Sequence, residues 1–260
     1  MGLGRGRVGR GVLFASARIC TRIETELMTP RILLALMCAL ALGGAARAQD
    51  SRFQAEMAAL GKAWAHLNYE IKDPHVEASE AQKLAARADD LARQYPVRAE
   101  PLAWEALILL SEADARHNMH SLELARSAKR LLERAAKLDP DALGPGSIYA
   151  NLGSLYAQLP GFPLSFGDAG KARTYFDKAV AANPTGLDAN YFYGDFLYRQ
   201  GDHAKAVQVL EKALSAPVRP GRELADRGRK WEASVLLAKI RRKSKGQGSQ
   251  LADADEVARP

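Results

Sequence analysis

Cysteine is nearly missing from this chain. There are 2 in 260 residues, Cys20 and Cys38, and both precede residue 49. Beyond that point disulfides, thiolate nucleophiles and cysteine-held zinc are excluded. A phosphate loop of the glycine-lysine type and a GxSxG elbow are also missing, which removes the P-loop nucleotide enzymes and the α/β-hydrolases. Histidine is sparse, at 5. His117 and His120 stand three apart with Asp114 three earlier, so one helix face could carry all of them. A metal would need more ligands, and they read as incidental residues of a linking segment. No catalytic residue, metal site or cofactor is predicted, and the chain reads as a non-enzyme.

Long apolar runs are equally scarce. The longest, residues 32–42, has eleven residues, where a membrane-spanning helix needs about 20. No stretch alternates apolar and polar residues long enough for a sheet. Negative charge is in mild deficit: 37 Lys and Arg against 30 Asp and Glu give +7, of which seven Arg and two Glu in residues 1–48 account for +5. The remaining +2 is no nucleic-acid signature. The basic cluster Arg241, Arg242, Lys243 and Lys245 lacks interleaved aromatics and reads as a solvated helix end.

The apolar run has a setting of its own. From Met28, MTPRILLALMCALALGGAARAQD places Arg31 before the run and Ala46-Arg47-Ala48 after it, the layout of a cleaved secretory signal. Translation from Met28, removal of residues 1–48 and a periplasmic or secreted location are therefore expected, with no stable membrane span. Residues 49–245 are the expected helical domain, and residues 246–260 have no sustained period and are expected to be disordered.

What the chain does have is a helical repeat. LDANYFYGDFLYRQGDHAKAVQVLEKALSAP carries Gly194, Leu197, Gly201, Ala206, Leu210 and Ala213 at the offsets of a tetratricopeptide hairpin. The preceding half repeats the marks with Leu152, Gly153 and Tyr156, then Ala172, Phe176, Ala179 and Pro184. Small residues on facing helices let two backbones approach, and Phe176 and Leu210 follow Ala172 and Ala206 by one turn on the same face. Earlier hairpins are looser. Trp104, Leu107, Ala128, Leu132 and Ala135 mark one, joined by a long link at residues 111–121; Phe53, Met57, Leu60, Trp64 and Leu67 open another, completed by a helix over 76–94. Asp139-Pro140 and Asn183-Pro184 end successive second helices. After residue 217, Leu224, Trp231, Val235, Leu236 and Ile240 form the expected inward side of a last helix. These patterns predict an all-α fold of eight or nine helices: a right-handed array of helix-turn-helix, tetratricopeptide-like hairpins with a C-terminal capping helix.

The two clearest hairpins differ by an insertion. Gly153 to Ala172 spans nineteen residues and Gly194 to Ala206 twelve, so seven extra residues fall within 158–170. Pro160, Gly161, Pro163 and Gly167 exclude helix there, while Phe162 and Phe166 supply apolar surface. Of the chain's 18 aromatic residues, 11 lie between Tyr149 and Tyr198. The candidate binding residues are Tyr149, Phe162, Phe166, Asn190, Tyr193 and Tyr198. Helix capping and solvation account for Asp168 and Asp188.

The run LPGFPLSFGDAGKARTYFDKAVAANPTGLDANYFYGDFLYRQG, with RPGRELADRGR, resembles the periplasmic T-component family associated with tripartite ATP-independent periplasmic (TRAP) transporters. The resemblance implies an all-helical protein that oligomerises and contacts the transporter's solute-binding protein. The chain departs from the family's lipoproteins because Ala35-Leu36-Met37 before Cys38 lacks the small residues used in lipoprotein processing. The leading expectation is a non-enzymatic adaptor for a protein partner or a second copy of the chain. The alternative is a carrier of a small apolar or aromatic ligand, drawn from the clustered aromatics.

Overall fold

The structure is a computed structural model that describes the backbone of residues 30–257 and the side chains of residues 47–243. Among the described residues all regular structure is helical: α1 (Pro30–Tyr69), α2 (Pro74–Gln94), α3 (Glu100–Arg116), α4 (Met119–Leu138), α5 (Ser147–Gln158), α6 (Ala169–Ala182), α7 (Leu187–Arg199), α8 (His203–Ser215) and α9 (Glu223–Val257). The chain divides into two units, Met1–Gln54 and Ala55–Pro260. In the first, the described backbone is the opening part of α1. The start of the expected signal segment, residues 1–29, lies outside the described residues. Among those described, no helix is long and apolar enough to cross a membrane.

Helix starts in the second unit follow from short polar side chains that accept hydrogen bonds from otherwise orphaned backbone N–H groups. Asp73 accepts from the backbone of His75 and Val76 ahead of α2, Asp168 from Lys171 ahead of α6, and Asp202 from Lys205 ahead of α8. Asn118 and Ser121 form a reciprocal capping box at α4. Asp139 and Asn183 end α4 and α6 just before their prolines. Asp168 is thus the cap that was expected.

The hairpins close where a glycine faces a large side chain. A β-carbon at Gly153 would lie 2.9 Å from the Phe176 ring, and one at Gly194 would lie 2.7 Å from Leu210. Ala172, Ala179, Ala206 and Ala213 are fully buried around them. Further along, α5 packs on α4, α6 and α7, while α9 packs on α7 and α8.

Three expectations differ from the structure. The link between α3 and α4 is only His117 and Asn118, because His117 takes a left-handed conformation (φ 45°) and Asn118 caps the next helix at once. His117 and His120 therefore do not share a helix face with Asp114. The inward side of α9 is Ala225, Asp226, Ala233, Leu237 and Ile240, whereas Trp231 is 66% and Val235 46% exposed. Ile240 and Leu236 pack as expected, whereas the apolar period missed the buried charge of Asp226. Finally, the backbone of α9 stays helical to Val257, past residue 246 where disorder was expected; the segment has no proline before Pro260, which leaves Gly246 and Gly248 as its main helix-opposing residues.

The close approach at Gly194 makes a specific prediction. Gly194→Val forces the Leu210 side chain aside and should lower stability by about 1–3 kcal/mol in urea denaturation. An unchanged midpoint would show that the two helices do not meet there.

Candidate binding groove

Residues of α1, α3, α4, α5 and α7 line an open groove of about 300 Å³. Its polar lining is tied into a small network. Trp64 Nε1 donates to Ser111 Oγ (3.1 Å), Ser111 Oγ donates to Asn68 Oδ1 (3.0 Å), and Asn68 Nδ2 donates to the Trp64 carbonyl (2.7 Å). Asn151 Nδ2 donates to the Ser147 carbonyl (2.9 Å). Trp64 also packs against Trp104, with ring centroids 6.0 Å apart. The absent side chain of Gly61 permits this, since a β-carbon there would lie 2.9 Å from the Trp104 ring. The polar groups of the floor are therefore held in place by one another.

The far wall comes from α9. Arg229 lines the cavity with its guanidinium 4.5 Å from the Phe192 ring centroid and 4.8 Å from that of Tyr191. Asp188 on α7 sits between Arg229 Nε (3.3 Å) and Arg219 Nη2 (2.8 Å). Asp226, fully buried, accepts from the Arg219 backbone N–H (2.7 Å) and from its guanidinium (2.5 Å). Arg229 also pairs with Glu232 (2.6 Å). The helix approaches closely because residue 228 is glycine: a β-carbon there would fall 2.3 Å from the Tyr69 ring.

Burial alone would raise the Asp188 carboxyl, yet Arg229, Arg219 and Arg222 together overturn this and hold it below the usual carboxylate range. Burial pushes the Tyr191 hydroxyl up to about 12, with the Glu232 carboxylate acting the same way. Tyr191 therefore stays neutral beside the cation. Arg222, the third arginine, lies 5.7 Å from the Trp104 ring centroid; burial is the largest influence lowering its pKa. The expected capping and solvation of Asp188 are thus corrected: its carboxylate joins Arg219, in the link before α9, and Arg229 on α9.

The six sequence candidates fall elsewhere. Asn190 is fully buried, donating from Nδ2 to the carbonyls of Pro184 (3.1 Å) and Gly186 (2.8 Å); it fixes the turn into α7. Tyr193 is 4% exposed and stacks on Phe176 at 5.6 Å, so both are packing residues. Tyr149 stays partly exposed and stacks on Tyr175 at 6.2 Å. Tyr198 stacks on His203 at 5.4 Å, with Lys239 5.3 Å away. Phe166 turns inward, edge-on to Tyr156 at 5.5 Å, while Phe162 is 94% exposed. None of the six lines the cavity. Its polar residues were missed because an Asn or Ser on an apolar helix face carries no motif, and Arg229 because the inward side of its helix was read only in part.

Residues 164–220 match the family model for the tetratricopeptide repeat. That stretch takes in the end of the insertion and helices α6, α7 and α8, and the α5–α6 hairpin is built in the same tetratricopeptide-like way. No curated protein matches the chain. Two solved structures of MamA are similar to it, each at 19% identity over 66% of this chain. The first is covered over 92% of its length with a TM-score of 0.37, the second over 96% with 0.31. Likeness at that level carries no argument about function.

The charge network predicts a pH dependence. Because the folded carboxyl of Asp188 is depressed, its contribution is complete above the unfolded value of about 3.9 and is lost as pH falls below it. Asp188→Asn leaves two arginines half-paired and should cost about 3 kcal/mol at neutral pH. Its penalty should shrink in acid. Equal penalties at neutral pH and at a pH well below the carboxylate range would contradict this assignment.

Proposed function

We propose that this chain is a non-enzymatic tetratricopeptide scaffold that binds a segment of another protein in the groove between its first helices and α9. The observation that carries this is the groove itself, floored by polar groups already bonded to one another and walled by Arg229 over Phe192. Such a surface offers a partner shape, an aromatic contact and a cation, with no nucleophile poised beside a base. The finer reading places it in the periplasm as an adaptor for a transporter's solute-binding protein. It draws on the signal-like segment before residue 49 and on the resemblance carried by residues 159–201 and 219–229. Self-association belongs to that same reading.

A small-ligand carrier is the second reading, and the favouring observation is the groove's volume. At about 300 Å³ the cavity sits at the lower edge of the usual small-molecule range. A photocrosslinking residue at Gln158, on the cavity rim, discriminates the two. We expect it to capture a defined envelope protein, and the added Ser154→Trp substitution, which fills the groove, should abolish capture without lowering the melting temperature. Capture unaffected by Ser154→Trp would refute groove binding. A small molecule retained in native mass spectrometry and lost in Ser154→Trp would establish the carrier instead.

A further inference from the structure

The inserted loop, residues 159–168, is fastened at its base and bare at its tip. Gly167 N donates to the Pro160 carbonyl (2.9 Å), Asp168 N to the Tyr156 carbonyl (2.9 Å) and Leu164 N to the Gly161 carbonyl (3.1 Å). Phe166 is tucked against Tyr156. Two apolar side chains nevertheless face water, Phe162 at 94% and Leu164 at 68% exposure. A fastened loop has folding contacts available to hide them and does not use them.

Behind the tip lies a basin of about 330 Å³ lined by Arg126, Lys129, Arg130, Pro163, Ser165 and Phe166. Arg126 Nη2 donates to the Leu164 carbonyl (3.2 Å), joining the loop to α4, and Arg130 Nη2 donates to Ser127 Oγ (2.9 Å). Among the described residues neither guanidinium has a carboxylate partner, whereas Lys129 is paired with Glu133 at 2.8 Å. The Ser165 hydroxyl is shut off from water without a hydrogen-bond partner. Two unpaired cations thus stand directly behind two exposed apolar side chains.

We infer that this tip docks on the surface of an anionic phospholipid bilayer. Phe162 and Leu164 enter the boundary between headgroups and acyl chains, while Arg126 and Arg130 meet lipid phosphates. Charge complementarity selects an anionic surface. The projecting side chains select a bilayer: a free phosphate gains nothing from them, and a protein partner would need a cleft cut to receive both. With so few groups engaged, the attachment is weak, reversible and salt-sensitive. The basin and the groove both draw on α4 and the loop but share no lining residue.

The test places a reporter at the tip of the full-length chain. Phe162→Trp should show a blue shift in tryptophan emission, beyond any shift of the parent chain, on vesicles containing phosphatidylglycerol but not on pure phosphatidylcholine vesicles. Adding Arg126→Gln and Arg130→Gln should weaken the apparent affinity about tenfold or more, and raised salt on the Phe162→Trp chain should do the same independently of any folding defect in the arginine variant. The inference is overturned by no shift on either vesicle, by equal shifts on both, or by insensitivity to salt. A shift that appears without lipid as protein concentration rises would also overturn it, assigning the tip to contact between copies of the chain.

Discussion

Two glycines set the spacing of the helices at the heart of this protein. Gly153 lies under the ring of Phe176 and Gly194 under Leu210, each so close that a β-carbon would collide. Everything toward the groove follows from that spacing. Close hairpins bring α5 and α7 into contact, which aligns Asn151 and Phe192 on one face with Trp64 and Ser111 from the earlier helices. Interiors packed this tightly transmit small volume changes, so the groove's width depends on residues that never touch it.

The last helix is fastened by a different force. Alanines, Leu237 and Ile240 give α9 an apolar seam against the stack, but such a seam tolerates sliding. Asp188, Asp226, Arg219 and Arg229 do not: each pairing works in one register only. Buried ion pairs are weak sources of net stability because desolvation offsets their attraction. Their consequence here is positional, since the pairing that locates α9 also sets Arg229 over Phe192 at the cavity wall.

The hairpins were legible in the sequence because small and large residues recur at fixed offsets, and the insertion was legible as a difference between two such offsets. The caps at Asp168, Asp139 and Asn183 could be read for the same local reason. What escaped depended on long-range contacts. Tyr193, an inner-helix binding candidate, is instead packed on the ring of Phe176 from the neighbouring hairpin. Asp188 read as a capping or solvated carboxylate, but Arg219, in the link before α9, and Arg229 on α9 reach it from thirty-one and forty-one residues away. The inward side of α9 was read in part: Ile240 is buried as expected, but Trp231 and Val235 face solvent while Ala225, Asp226 and Ala233, which carry little or no apolar signal, face the stack. Polar burial satisfied by a distant partner leaves no periodic trace.

Hydrogen–deuterium exchange on the unliganded protein tests most directly whether α9 is a fixed wall of the groove. A helix held by the arginine network opens only when α7 and α8 open, so amides of residues 225–240 should exchange as slowly as those of α7 and α8. Exchange of that segment within seconds, while α7 and α8 stay protected, would contradict the account.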